Sequence, residues 1–204
     1  MAEYYQVLPL TAPASTAQAT ATALLEPTQN STSVTEITPV RLFGVADDSI
    51  VDGPGIRYAV FVQGCSHCCP GCHNPQALSR SGGRWATIDE LWEQIEANPL
   101  LCGITLSGGE PFEQPEPLLE LVRRAQAARL SVWAYSGYTY EQLAAGMPCV
   151  AARELLVACD VLVDGRYLVE QASYDLRWRG SANQRIIDVE ASLTAGRAVE
   201  LVLE

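Results

Sequence analysis

The chain contains no lysine: all 13 of its basic residues are arginine, set against 24 acidic residues in 204. Without an ε-amino group there is no Schiff-base site, no P-loop lysine, and no attachment point for biotin or lipoate. The formal charge of −11 leaves no room for the clustered positive charge that nucleic-acid binding needs. No apolar run reaches the length of about 18 residues that a membrane span requires. Arginine is also missing from the first 40 residues, so neither a secretory n-region nor an arginine-rich transit peptide is present. A cytoplasmic protein is expected, with a small molecule or another protein as its partner.

Residues 1–38 have little to bury. From Thr11 to Val34 they are mostly Ala, Thr, Ser, Gln and Pro, a composition that does not repay its ordering entropy. They read as a disordered tail, with a docking segment as the alternative. Residues 39–204 read as one domain. Strands are expected at 40–45, 58–63, 103–106, 130–135, 161–164, 185–189 and 199–203. Helices are expected at 87–97, 117–128, 139–145 and 151–158. Thr87 with Glu90, and Thr139 with Gln142, have the spacing of capping boxes. Strand–helix alternation implies a parallel sheet with helices packed on it, and ligands at the C-terminal strand ends.

Seven cysteines are present, and four crowd into Gly64-Cys65-Ser66-His67-Cys68-Cys69-Pro70-Gly71-Cys72-His73, after a strand. The spacing Cys65-x3-Cys69-x2-Cys72 puts three thiolates on one loop. Three thiolates suit three irons of a cubane cluster and leave a fourth iron for a ligand. A closed zinc site usually takes two ligand pairs, although His67 or His73 could supply a fourth donor. A redox pair at Cys69 and Cys72 leaves Cys65 idle. Cys68 reads as a free neighbour, and the two histidines as surface or supporting residues. Cys102, Cys149 and Cys159 stand singly in apolar surroundings and read as small core residues.

The cysteine motif, with Asp52-Gly53-Pro54-Gly55-Ile56-Arg57 just upstream, resembles the radical S-adenosylmethionine superfamily and, within it, the glycyl-radical-enzyme activases. Ser107-Gly108-Gly109-Glu110-Pro111 is a plain strand-to-helix turn by itself. In this company it is similar to the family's methionine-binding loop. Arg179-Gly180-Ser181-Ala182-Asn183-Gln184-Arg185 resembles a stretch of the activating proteins for anaerobic ribonucleoside-triphosphate reductase. That stretch either docks a partner or caps the last strand. Ala182 and His73 depart from the residues more frequent in relatives. The likeness runs over residues 40–189, about three quarters of the chain.

The resemblance implies a partial (β/α) barrel with helices outside, since about 165 residues fall short of the roughly 250 of a closed barrel. It implies one 4Fe-4S cluster on Cys65, Cys69 and Cys72, and S-adenosylmethionine as second cofactor. Gly71, Cys72 and His73 would lie along the adenine. Gly108, Gly109 and Glu110 would hold the methionine end, with Ser136 and Asp164 at the later strand ends. Ser136 could equally belong to an ordinary turn, and Asp164 to a salt bridge with Arg166. The implied reaction makes a 5′-deoxyadenosyl radical that takes hydrogen from a glycine of a glycyl-radical enzyme, anaerobic ribonucleotide reductase by the closest resemblance. A flavodoxin-type protein would donate the electron. No lysine and no proton shuttle are needed. The alternatives are the same chemistry on another glycyl-radical enzyme or substrate, or a non-catalytic iron–sulfur or zinc-binding protein.

Overall fold

A computed structural model describes residues 39–202; the expected tail at 1–38 lies outside them. In chain order the elements are β1 (Val40–Ser49), β2 (Arg57–Val62), β3 (Arg84–Ala86), α1 (Ile88–Glu96), β4 (Gly103–Gly108), α2 (Pro115–Ala127), β5 (Ser131–Tyr135), α3 (Tyr140–Ala144), α4 (Val150–Ala158), β6 (Val161–Asp164), β7 (Arg185–Asp188) and α5 (Val189–Ala195). The strands form one sheet in the order β3-β1-β2-β4-β5-β6-β7. The pairs β2–β4, β4–β5 and β5–β6 are parallel, and β1, β3 and β7 extend the sheet antiparallel. The two ends of the sheet do not meet. This is the expected open α/β sheet, a partial barrel with a parallel centre.

Alternation along the central strands separates two faces. Tyr58, Val60, Val62, Ile104, Leu106, Val132, Ala134 and Leu162 join the helices in the main core. α2 adds Leu118, Leu121, Val122 and Ala125 at helical spacing, and the larger of these contribute about 2 kcal/mol each by burial. The residues between them on β5, β6 and β7, Trp133, Val161, Val163 and Ile186, form a smaller cluster on the other face. Two helices, α1 and α3, are capped as their sequences suggest. The Thr87–Glu90 and Thr139–Gln142 boxes are both closed in both directions.

Arg57 ends the Asp52–Arg57 element inside the sheet, with no exposed surface. It donates to Thr105 Oγ1 (2.7 Å), Ser131 Oγ (2.8 Å) and the carbonyls of Ile104 (2.6 Å), Ser131 (2.9 Å) and Pro54 (3.3 Å). Its guanidinium lies over Trp133, 5.6 Å from the ring centroid. Burial lowers its pKa to about 10, so it stays charged at neutral pH. Thr105 Oγ1 donates in turn to the Asp52 carbonyl at 2.7 Å. The element therefore knits the entry of β2 to the starts of β4 and β5, at the end of the sheet opposite the cysteine loop.

Several details differ from expectation. β3 pairs with the start of β1, an edge role that its three-residue sequence Arg84-Trp85-Ala86 does not announce. The segment after β7 is helix α5, with Asp188 accepting the Ala191 amide as N-cap. The expected strand at 199–203 shrinks, within the described residues, to a single bridge between Ile187 and Glu200. Cys102 and Cys149 are exposed rather than in the core; only Cys159 is buried. No helix among the described residues is long and apolar enough to cross a membrane.

Candidate functional site

Three loops meet at the C-terminal ends of β2, β4 and β5. The first carries the cysteines. It is anchored where it leaves β2: the Gly64 amide donates to the Ala77 carbonyl (2.7 Å) and the Cys65 amide to Leu78 (3.1 Å). Gln63, nearly buried, donates to the carbonyls of Gln76 (2.9 Å) and Ser79 (2.6 Å). The second loop follows β4. Its Gly109 amide donates to the Val62 carbonyl (2.7 Å) and its Glu110 amide to Gly64 (2.8 Å). The two loops touch so closely that a Cβ on Gly109 would lie 2.2 Å from the Gly64 carbonyl oxygen, so only glycine fits. The third loop, Ser136–Gly137, leaves β5 beside them.

Glu110 is the junction of the three, with 1% exposure. Its Oε1 accepts from Ser136 Oγ (3.0 Å) and the Phe112 amide (3.1 Å). Its Oε2 accepts from the Gly137 amide (2.8 Å) and His67 Nε2 (2.9 Å). A carboxylate buried so deeply is held by these charge-assisted bonds. Glu110, Gly109 and Ser136 are thus brought together as the sequence suggests. Gly108 ends β4 opposite Val62.

Cys65, Cys69 and Cys72 share the first loop, all partly exposed and none in a disulfide; Cys68 beside them is exposed. The Cys72 amide donates to the Cys69 carbonyl at 3.2 Å, which curls the loop. Burial pushes the Cys65 thiol up to about 11, and the carboxylates of Glu110 and Glu113 push the same way. Burial also raises Cys72, with Cys69 and Cys68 adding to it. Metal loading must therefore displace protons from these thiols. Among the described residues no three His, Cys, Asp or Glu side chains converge on a single ion. A cubane needs something else, one thiolate for each of three irons. The donor set and the neighbouring carboxylate at an open strand mouth fit that group.

The remaining expected residues lie around this centre. Gly71 sits against Tyr167 and Val169. The His73 ring tilts against Tyr167, 4.7 Å between centroids. Asp164, 1% exposed at the end of β6, pairs with Arg185 at 3.0 and 2.5 Å and accepts the Tyr140 amide at 2.7 Å. Its salt-bridge partner is Arg185, not Arg166. Arg166 instead donates to the backbone carbonyl of His67.

Residues 51–187 match the family described as "4Fe-4S single cluster domain". The anaerobic ribonucleoside-triphosphate reductase-activating protein of Haemophilus influenzae is 37% identical over 147 residues, covering 67% of this chain and 90% of that one. The protein of the same name from Vibrio cholerae is 38% identical over 146 residues, with the same coverage. That of Enterobacteria phage T4 is 32% identical over 142 residues, covering 67% and 86%.

The chain belongs to the family of anaerobic ribonucleoside-triphosphate reductase-activating proteins.

The crystal structure of QueE from Escherichia coli covers 50% of the chain at 17% identity and a TM-score of 0.35, too slight a likeness to add to this. In this family member the iron–sulfur domain spans both the cysteine loop and the Gly180–Arg185 segment. That segment is largely closed on itself. Gln184 Oε1 accepts the amides of Gly180 (2.9 Å) and Ser181 (3.1 Å), while its Nε2 donates to the Gly165 carbonyl at 3.0 Å. Arg179 donates to the Gln184 carbonyl at 2.9 Å.

Two residues of the activating-protein site carried no specific role in the sequence. His67 reads there as a surface or supporting residue, yet its side chain is 11% exposed and sits on Glu110. Glu113 accepts from the Ser66 amide (3.2 Å) and hydroxyl and from Arg80 (2.7 Å), tying the cysteine loop to the turn after Glu110. Position inside the x3 gap of the motif was the only available signal for His67.

Proposed function

We infer that this chain is a radical S-adenosylmethionine activase acting on anaerobic ribonucleotide reductase. The observation that carries the reading is the placement of buried Glu110 beside the cysteine loop, at the mouth formed by β2, β4 and β5. Cys65, Cys69 and Cys72 would hold a 4Fe-4S cluster. When bound, the cluster and S-adenosylmethionine together supply an electron transfer that yields a carbon-centred radical able to abstract hydrogen from a glycine.

The chain's own residues bind and orient. Glu110 would take the ammonium of the methionine moiety, with Gly108, Gly109 and Ser136 around it. Gly71, Cys72 and His73 would border the adenine side. Asp164 would close the rim at β6, with its carboxylate steadied by Arg185. The open sheet leaves lateral room for a macromolecular glycine loop. A flavodoxin-type donor would supply the electron, and the protein would work in the cytoplasm.

Anaerobic reconstitution with iron and sulfide, followed by reduction, should give 5′-deoxyadenosine from S-adenosylmethionine. Co-incubation with a candidate reductase should give a glycyl-radical doublet in electron paramagnetic resonance. A reduced cluster that leaves S-adenosylmethionine intact would sink the reading. Cys69→Ala should lose the cluster and Cys68→Ala should keep it, measured as iron per chain.

A further inference from the structure

Glu110 has no lone pair to spare. A carboxylate offers about four acceptor positions, and four donors occupy them: Ser136 Oγ, the amides of Phe112 and Gly137, and His67 Nε2. A ligand ammonium can pair with this carboxylate in full only by displacing one of the four. The two amides belong to the backbone of the Pro111–Glu113 turn and of the β5 exit, and cannot turn away without unmaking those loops. Ser136 is buried, and its Oγ also accepts the Tyr138 amide at 3.0 Å.

His67 differs from the other three. Its ring reaches Glu110 from the cysteine loop. It rests edge-on to Tyr138, centroids 4.5 Å apart, and flat space for it exists because residue 137 is glycine: a Cβ there would meet ring Cδ2 at 2.3 Å. Arg166 holds the residue by its backbone carbonyl, so that contact does not depend on where the ring lies.

We propose that His67 is a positioning residue of the ammonium subsite, holding Glu110 by the lone pair that a ligand's ammonium takes and swinging off when that ammonium binds. This rests on the reading of Glu110 as the partner of the methionine amino group. The exchange trades one hydrogen bond to a carboxylate for another. It therefore favours ligands that bring an ammonium, because a ligand without one gains nothing by evicting the ring.

The test measures equilibrium binding of S-adenosylmethionine to the full chain carrying an oxidised cluster, with iron per chain checking the loading. The comparison ligand is the α-keto analogue of S-adenosylhomocysteine, which lacks the amino group. Removing the competing donor in His67→Ala should tighten S-adenosylmethionine about ten-fold, the scale of one hydrogen bond to a charged group, and leave the α-keto analogue unchanged. His67→Leu provides a second donor-free side chain should alanine disturb the loop. His67→Gln, which can still donate, should stay near wild type. Unchanged or weakened S-adenosylmethionine binding in both donor-free variants would overturn the proposal, as would equal changes for the two ligands. Glu110→Gln separates the two levels. If it weakens S-adenosylmethionine while the His67 variants fail to tighten it, the place-holder falls and the Glu110 reading stands. If Glu110→Gln changes nothing, the Glu110 reading itself falls.

Discussion

Arg57 and Glu110 are two buried charges with opposite duties. Arg57 spends its donors on fixed partners: five bonds reach Thr105, Ser131 and the carbonyls of Ile104, Ser131 and Pro54. Replacing it with methionine strands those acceptors in a dry region, because the methionine thioether donates nothing. Arg57→Met should therefore lose about 3 kcal/mol or more of stability, read as a lower urea midpoint at unchanged slope. Arg57→Lys should recover only part of it, since a single ammonium cannot span the guanidinium's fork. Glu110, by contrast, sits where its partners come from three different loops. The Asp52–Arg57 motif marks a brace at the far end of the sheet, whereas the glycine–glutamate motif marks the mouth.

At the scale of elements, one side chain adds a tie from β7 to α3 beyond its ladder with β6. Arg185 bridges Asp164 at the end of β6 and Glu141 in the first turn of α3, with bonds of 2.9 and 3.1 Å to Glu141. Its guanidinium pulls the Glu141 carboxyl well down, to about 2. A depressed carboxyl contributes stability above its unfolded pKa of about 4.5 and loses it as pH falls toward 2. Glu141 is half exposed, so solvent screens most of this and the effect is modest. Arg185→Met should be less stable than wild type at pH 7. The gap between the two thermal midpoints should narrow as pH falls from about 4.5 to 2. A gap constant across that range would mean that the Glu141 bond carries none of it. The long elements were legible from pattern: the capping boxes set the starts of α1 and α3, and the spacing of Leu118, Leu121, Val122 and Ala125 declares α2. β3 and α5 were not, because three residues of edge strand and two turns of helix carry too little periodicity to stand out.

For the whole molecule, the described body begins at β1 and the family match at residue 51. A chain of residues 39–204 should bind the same iron per chain as the full-length protein, and cleave S-adenosylmethionine at the same rate. A truncated chain that folds but binds less iron would give residues 1–38 a part in the site. The sequence by itself determined which residues are proposed as the site, Cys65, Cys69 and Cys72 with the glycines and carboxylate of the loop after β4, because ligand chemistry is written in residue types and short spacings. It also determined the open α/β sheet, through the alternation of apolar strands and helices. Only the tertiary structure decided which charges meet. Glu110 faces His67 from 43 positions away, and Asp164 takes Arg185 rather than the nearer Arg166. The physical reason is that a buried carboxylate takes whichever donors the folded sheet brings to it, and strand order, not distance along the chain, sets which those are.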